Sequence, residues 1–233
     1  MGNKVKPFSY RLGIINNWTS RWIPKNLKFK SGLQEDIVIR KIINEKISLA
    51  GIISIEIERS ADNSFRVHVK AARPGLVIGR GGKGIEDLVA AVRAGLEKLF
   101  RSRKQVVPKF GLSLNVEELK RSDVSAQFTA QSIAWDLEKR LPFRRTIKKY
   151  IETVMQNREA QGIKIKLSGR LDGNEIARRE WLAKGKLPLQ TLRANIDCGE
   201  ATAFNSYGTV GVKVWIYKGN VFDKGPQNDK PTR

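Results

Sequence analysis

Histidine and cysteine occur once each in the 233 residues, as His68 and Cys198. A zinc site built from His and Cys needs several such side chains, so none is available. His68 falls on the polar face of an alternating segment, with no neighbour to complete a triad, which excludes histidine-based nucleophilic catalysis. A lone thiol rules out an internal disulfide framework and suits a reducing compartment. Cys198 ends an apolar, strand-like run and is expected to be a core thiol rather than a nucleophile. Long apolar runs are missing as well. No stretch approaches the roughly 18 residues of a membrane-spanning helix, and no signal-peptide core is expected. Acidic residues are scarce, and residues 1–33 contain none.

Positive charge is what the chain has in excess. It carries 44 Lys and Arg against 23 Asp and Glu, a net charge of +21 and a pI of about 10.3. Self-repulsion of that size is relieved best by a polyanion. Nucleic acid comes first, because phosphate contacts release counterions; an anionic membrane comes second. The length suits one large domain or two ordinary ones, and a hydrophobic content of 40% is enough to build cores.

The most informative stretch is Val77-Ile78-Gly79-Arg80-Gly81-Gly82-Lys83-Gly84-Ile85. Gly79 and Gly82 form a Gly-x-x-Gly turn between a strand-like run and a helical run. Without Cβ atoms a phosphate backbone can come close, and the first N–H groups of the helix point at the anion. Arg80 and Lys83 add charge beside it. The pattern resembles the loop by which KH domains clamp single-stranded RNA. Gly79, Gly81 and Gly84 also satisfy the dinucleotide fingerprint, but the region about 20 residues on is basic where that site needs an acid. A Walker loop fails, since Gly84 stands where Ser or Thr is required. A glycine-rich turn without a ligand is the remaining reading.

The periodicity around the loop narrows the choice. Residues 34–50 read as a helix on Ile39, Ile42, Ile43 and Ile47, with Glu35 and Asp36 in its first turn and Gly51 at its end. Ile53, Ile55 and Ile57, then Phe65, Val67, Val69 and Ala71, alternate with polar residues as two strands. Ile85 to Leu99 mark a helix over about 83–100, and Leu112, Leu114 and Val116 a third strand. Helix, strand, strand, glycine loop, helix, strand is the order of the type II KH fold. Residues 1–33 read as an irregular basic arm whose aromatics either stack on bases or pack the arm down.

A second α+β domain is expected over 119–218, after the KH domain at 34–118. Ser122 or Asp123 caps a helix running to about Arg140 with Leu137 and Leu141 in its stripe, and Pro142 ends it. A second helix covers about 143–158. Strands follow at 163–167, 189–198 and 210–217, giving a small, mostly antiparallel sheet. Residues 219–233 read as a disordered tail.

Basic residues recur across this second domain. Arg140, Arg144, Arg145, Lys148 and Lys149 fall within ten residues without an acid, and Arg145, Lys148 and Lys149 project opposite Ile147 and Ile151. A solvated helix face ordinarily mixes both signs. Lys164 and Lys166 share a strand face, Arg170 closes that run, and Arg178, Arg179, Lys184, Lys186 and Arg193 follow. One short RNA segment does not require so many cations, whereas burial in a large folded RNA does.

Several long segments resemble the bacterial-type family of small-subunit ribosomal protein S-three. They are Met1-Gly-Asn-Lys-Val-Lys-Pro with Arg11-Leu-Gly-Ile, Ala72-Arg-Pro-Gly-Leu-Val-Ile-Gly, Phe143-Arg-Arg, the runs from Gly162 to Leu171, Glu175 to Trp181 and Pro188 to Asp197, and Gly211 to Gly219. The resemblance implies a non-enzymatic component of the small-subunit head. Its partners would be small-subunit ribosomal RNA, through cations including Lys4, Lys6, Arg11, Lys164, Lys166 and Arg193, and the neighbouring proteins S-ten and S-fourteen. It further implies a place where messenger RNA enters, with Arg144, Arg145 and Lys148 at positions associated with gripping the incoming strand. No cofactor, metal, membrane or small-molecule substrate is expected. A free-standing KH regulator and a nucleotide-binding oxidoreductase are the alternative readings.

Overall fold

The computed structural model describes residues 4–23, 29–60, 64–103, 110–119 and 124–222. The chain forms two units, one made of Thr19–Leu119 and the other of the segments before and after it. The expected arm at 1–33 is therefore divided. A short helix α1 (Pro7–Tyr10) belongs to the second unit, whereas β1 (Ser20–Arg21) is an edge strand of the first.

After β1 the first unit runs α2 (Phe29–Lys46), β2 (Ile52–Arg59), β3 (Phe65–Ala71), α3 (Pro74–Ile78), α4 (Lys83–Ser102) and β4 (Leu112–Glu118). The sheet order is β1-β2-β3-β4, with β2 and β3 antiparallel and the two outer pairings parallel. Alternation puts Ile55, Ile57, Val67 and Val69 on the face that meets Ile39, Ile43, Val92 and Leu96 of α2 and α4. Each such side chain adds about 1.5–3 kcal/mol of burial free energy. This is the expected type II KH arrangement.

Helix α2 starts earlier than the expected Gln34. Glu35 and Asp36 are not first-turn acids but buried partners of a distant arginine. Arg59 on β2 donates through Nη1 to Glu35 Oε2 at 2.7 Å and through Nε to Asp36 Oδ1 at 3.1 Å. Arg103 reaches Glu35 Oε1 at 3.1 Å. Trp22 donates its indole N–H to Asp36 at 2.8 Å and lies against Gly32, where a Cβ would come within 2.7 Å of the ring. That aromatic of the arm therefore packs rather than waits for a base.

The second unit contains α5 (Ala126–Glu138), α6 (Phe143–Met155), β5 (Gly162–Gly169), β6 (Arg178–Gly185), β7 (Ala194–Asn205) and β8 (Gly208–Asn220). Its sheet is wholly antiparallel, in the order β6-β5-β8-β7. Both helices cover one face through Ile133, Ile147 and Ile151 against Ile163, Ile165, Leu167, Val212 and Val214. Gly199 lets α5 come close, since a Cβ there would strike the Ala126 carbonyl.

Several boundaries differ from expectation. Ser122 and Asp123 lie outside the described residues, and Ser125 is the cap of α5, accepting the Phe128 N–H at 3.4 Å. Helix α5 stops at Glu138, Arg140 turns the chain at φ 61°, and Leu141 is exposed rather than part of the stripe. Helix α6 ends at Met155 and β7 starts at Ala194. Strand β6 was not expected. Strand β8 continues to Asn220, and the rest of the expected tail, from 223, lies outside the described residues.

Candidate nucleic-acid interface

The glycine loop joins α3 to α4. Ile78, Gly79, Arg80, Gly81 and Lys83 are exposed, and Gly82 is half-buried. Gly79, Gly81 and Gly82 have φ of 70°, 64° and 83°, which L side chains rarely adopt. Gly81 therefore stands where a second cation would be strained. A Cβ on Gly79 would sit 3.0 Å from the Gly84 nitrogen, and one on Gly84 would strike the Val77 carbonyl. The loop folds tightly against the start of α4 for that reason. Gly82 caps α4 without a side-chain hydrogen bond, which leaves first-turn N–H groups for an anion, with two cations beside them.

On α6, Phe143, Ile147, Ile151 and Val154 turn to the core, and Arg144, Arg145, Lys148 and Lys149 turn outward. Two of the four have acidic neighbours. Arg144 lies 3.6 Å from Glu180 and Lys149 lies 4.0 Å from Asp136, but both cations are mostly exposed, so these pairs contribute little. Arg140 is exposed at the left-handed turn before α6.

The remaining predicted cations divide by environment. Lys4, Lys6, Arg178, Arg179, Lys184, Lys186 and Arg193 are exposed, while Lys164 and Lys166 are half-buried on the sheet face away from the helices. Arg170 is committed internally, donating to the carbonyls of Asn174 and Tyr207 at 2.9 and 3.2 Å. Arg11 is the clear correction. It is fully buried and cannot reach a phosphate. Its guanidinium donates to the carbonyl oxygens of Pro7, Leu189, Thr191 and Ala194 at 2.7–3.1 Å, and burial lowers its pKa. An arginine keeps its charge in such a site because carbonyl dipoles replace the lost water.

Cys198 also sits elsewhere than expected. It faces the outer side of the sheet, half-buried, and desolvation followed by the Glu200 charge pushes its thiol up to about 11. A thiol so poor in thiolate is not a nucleophile at neutral pH. Residues that went unnoticed in the sequence lie on the same side. Trp181 stands on β6, Trp215 and Lys213 on β8. Every residue of strand β6 except Glu180 is exposed, so no hydrophobic alternation marked it. Among the described residues no His, Cys, Asp and Glu cluster could hold a metal ion, and no helix is long and apolar enough to cross a membrane.

Comparison with known proteins agrees with this geometry. Residues 38–123 match the family described as KH domain, and residues 133–216 match ribosomal protein S3, C-terminal domain. The chain is 46% identical to small ribosomal subunit protein uS3 of Helicobacter pylori (strain J99), over 99% of this chain and 92% of that protein. The protein of the same description from Wolinella succinogenes is 45% identical with the same coverage. That from Alkaliphilus oremlandii is 46% identical over 95% of this chain and 87% of its own length. With a KH unit, an S3-type second unit and near-complete coverage at this identity, the chain belongs to the ribosomal protein S3 family.

Proposed function

We propose that the chain is a structural, non-catalytic component of the small ribosomal subunit that binds ribosomal RNA. The observation that carries this reading is the separation of its exposed cations. The loop beside α4 lies on one unit, and the outer face of α6 with the cations of β6, which adjoin it where Arg144 lies 3.6 Å from Glu180, lies on the other. Each neutralises a different stretch of phosphate, as a protein embedded in folded RNA requires. A free-standing KH regulator would need the loop alone and leaves the basic face of α6 without a purpose.

The reading extends to finer contacts. Arg144, Arg145 and Lys148, on one rigid helix face, are suited to holding the backbone of messenger RNA as it enters the subunit. Translocation supplies the work, and the fixed cations supply only the grip. The family resemblance adds S-ten and S-fourteen as neighbours in the subunit head.

Sucrose-gradient fractionation of cells carrying a tagged copy tests the proposal. The tag is expected in the small-subunit and assembled-ribosome fractions. Recovery only in the free-protein fractions overturns it.

A further inference from the structure

The outer face of the β6-β5-β8-β7 sheet carries neither α5 nor α6, and strand register lays two rows of side chains across it. One row runs Trp181, Lys166, Lys213, Glu200, and the next includes Lys164, Trp215, Cys198. Neighbouring strands stand about 4.8 Å apart, so each indole has a lysine beside it on the next strand, Lys166 next to Trp181 and Lys164 next to Trp215. The Lys164 Nζ lies 4.4 Å from the centroid of the Trp181 ring, yet Trp181 is still 58% exposed. The segment from Lys4 to Arg11 forms the other wall, and together they bound a groove of about 900 Å³.

Five lysines line this groove against one carboxylate, Glu200, and Lys213 already neutralises that carboxylate at 3.4 Å. The occupant must be anionic. It must also offer flat π surfaces. The exposed Trp181 ring and the half-buried Trp215, which packs on Ala194, Ile196 and Tyr217, stand beside cations, an arrangement that contributes most against bases. The wall is held in place by Arg11, whose hydrogen bonds tie the arm to the carbonyls before and at the start of β7. The groove is thus formed before any ligand arrives.

We propose that this groove binds an unpaired RNA segment of about two or three nucleotides, the number aromatic side chains on an open sheet face hold in other RNA-binding folds. Its bases stack on Trp181 and Trp215, and its phosphates meet Lys6, Lys164 and Lys166. The proposal deepens the RNA-binding reading and rests on it. It assigns the second unit a base-stacking site of its own, separate in sequence from the glycine loop. An acidic peptide would satisfy the lysines but leave the indoles without a role.

The test uses the full chain carrying Arg80→Ala and Lys83→Ala, so that the loop no longer dominates binding. A single-stranded adenylate pentanucleotide is titrated while the indole N–H and backbone amide resonances are followed. The indoles of Trp181 and Trp215 are expected to shift. Adding Trp181→Ala weakens binding about tenfold, the effect of losing one stacked base. Lys164→Gln, which keeps both rings, weakens it less and reports on the site should the tryptophan variant fold poorly. Unmoved indoles overturn the groove, and the same titration of the unsubstituted chain judges the RNA-binding reading separately. Shifting Gly79–Gly82 amides there keep that reading, and shifts nowhere overturn both. Tighter binding of polyglutamate than of the pentanucleotide at the same indoles overturns the choice of RNA.

Discussion

The Arg11 side chain donates a 2.7 Å hydrogen bond through Nε to the carbonyl oxygen of Ala194, 183 positions later in the chain. One buried cation thereby joins the start of the protein to the edge strand of its second sheet. Arg11→Ala leaves several carbonyls without a donor and is expected to lower stability by about 3 kcal/mol in urea unfolding. Arg11→Lys rescues little, since a compact ammonium cannot reach the same fan of oxygens. Wild-type stability in either variant would show that water replaces the guanidinium at no cost.

Arg59 bridges Glu35 and Asp36 under the rings of Trp22 and Phe65, at 4.6 and 4.7 Å from their centroids. Removing it leaves buried Asp36 without its paired cation and with only the Trp22 N–H, while Glu35 keeps Arg103 at 3.1 Å. Arg59→Ala is expected to destabilise the first unit by about 3–5 kcal/mol, the usual cost of an orphaned buried charge. Hydrogen exchange of α2 amides measures it locally.

Gly79 and Gly81 both have positive φ, but only Gly79 also faces backbone at short range. Gly81→Ala is expected to cost about 1 kcal/mol from conformation alone, and Gly79→Ala about 1 kcal/mol more. Thermal unfolding of the two variants gives the ranking. The reverse order would contradict the packing of the loop on α4.

Arg80 and Lys83 are exposed, so replacing both with Ala is expected to leave stability within about 0.5 kcal/mol. The effect belongs in the salt dependence of single-stranded RNA binding. Two lost phosphate contacts reduce the slope of log K against log salt by about 1.4. The combined change Arg144→Ala, Arg145→Ala and Lys148→Ala likewise preserves the fold, and is expected to slow translation through hairpin-containing messages. Unchanged translation of such templates would argue against the grip assigned to α6.

Cys198 ionises at about 11 rather than 9.0, and Tyr150, desolvated and hydrogen-bonded to Asp136, at about 12 rather than 10.0. Both folded values are raised above the unfolded ones. Their contribution to stability is complete below pH 9 and is lost as pH rises through 11 and 12. Denaturant midpoints measured from pH 8 to 12 are expected to fall over that window, less steeply in Cys198→Ala. At pH 8 the native thiol should alkylate about a hundredfold more slowly than an unperturbed cysteine, following its smaller thiolate fraction.

Much of the first unit was legible because one sheet face is buried and the other is not. Ile55–Ile57 and Phe65–Ala71 announce that contrast in every second residue, although an irregularity between Ile52 and Ser54 buries Ile52 in place of the expected Ile53. Strand β6 carries no such contrast, having both faces open to solvent and no β-branched residue, so pairing with β5 alone defines it. The fates of Glu35, Asp36 and Arg11 were hidden for a different reason. A charged residue in sequence looks like a surface residue, and what buries these three comes from Arg59, Arg103 and the carbonyls around Leu189, far along the chain. The cations of α6 and the glycine loop were readable because nothing distant claims them for the interior.

The second unit is discontinuous, with Thr19–Leu119 interposed between its two parts. A nascent chain therefore finishes making the KH unit while the partners of α1 are still unsynthesised. The central position of β8 between β5 and β7 postpones closure further, since that sheet cannot assemble until almost the last described residues emerge. Biogenesis thus has a built-in order. The first unit can collapse early on contacts close in sequence, and the basic leading segment stays uncommitted until Leu189 to Ala194 are made and Arg11 finds its carbonyls.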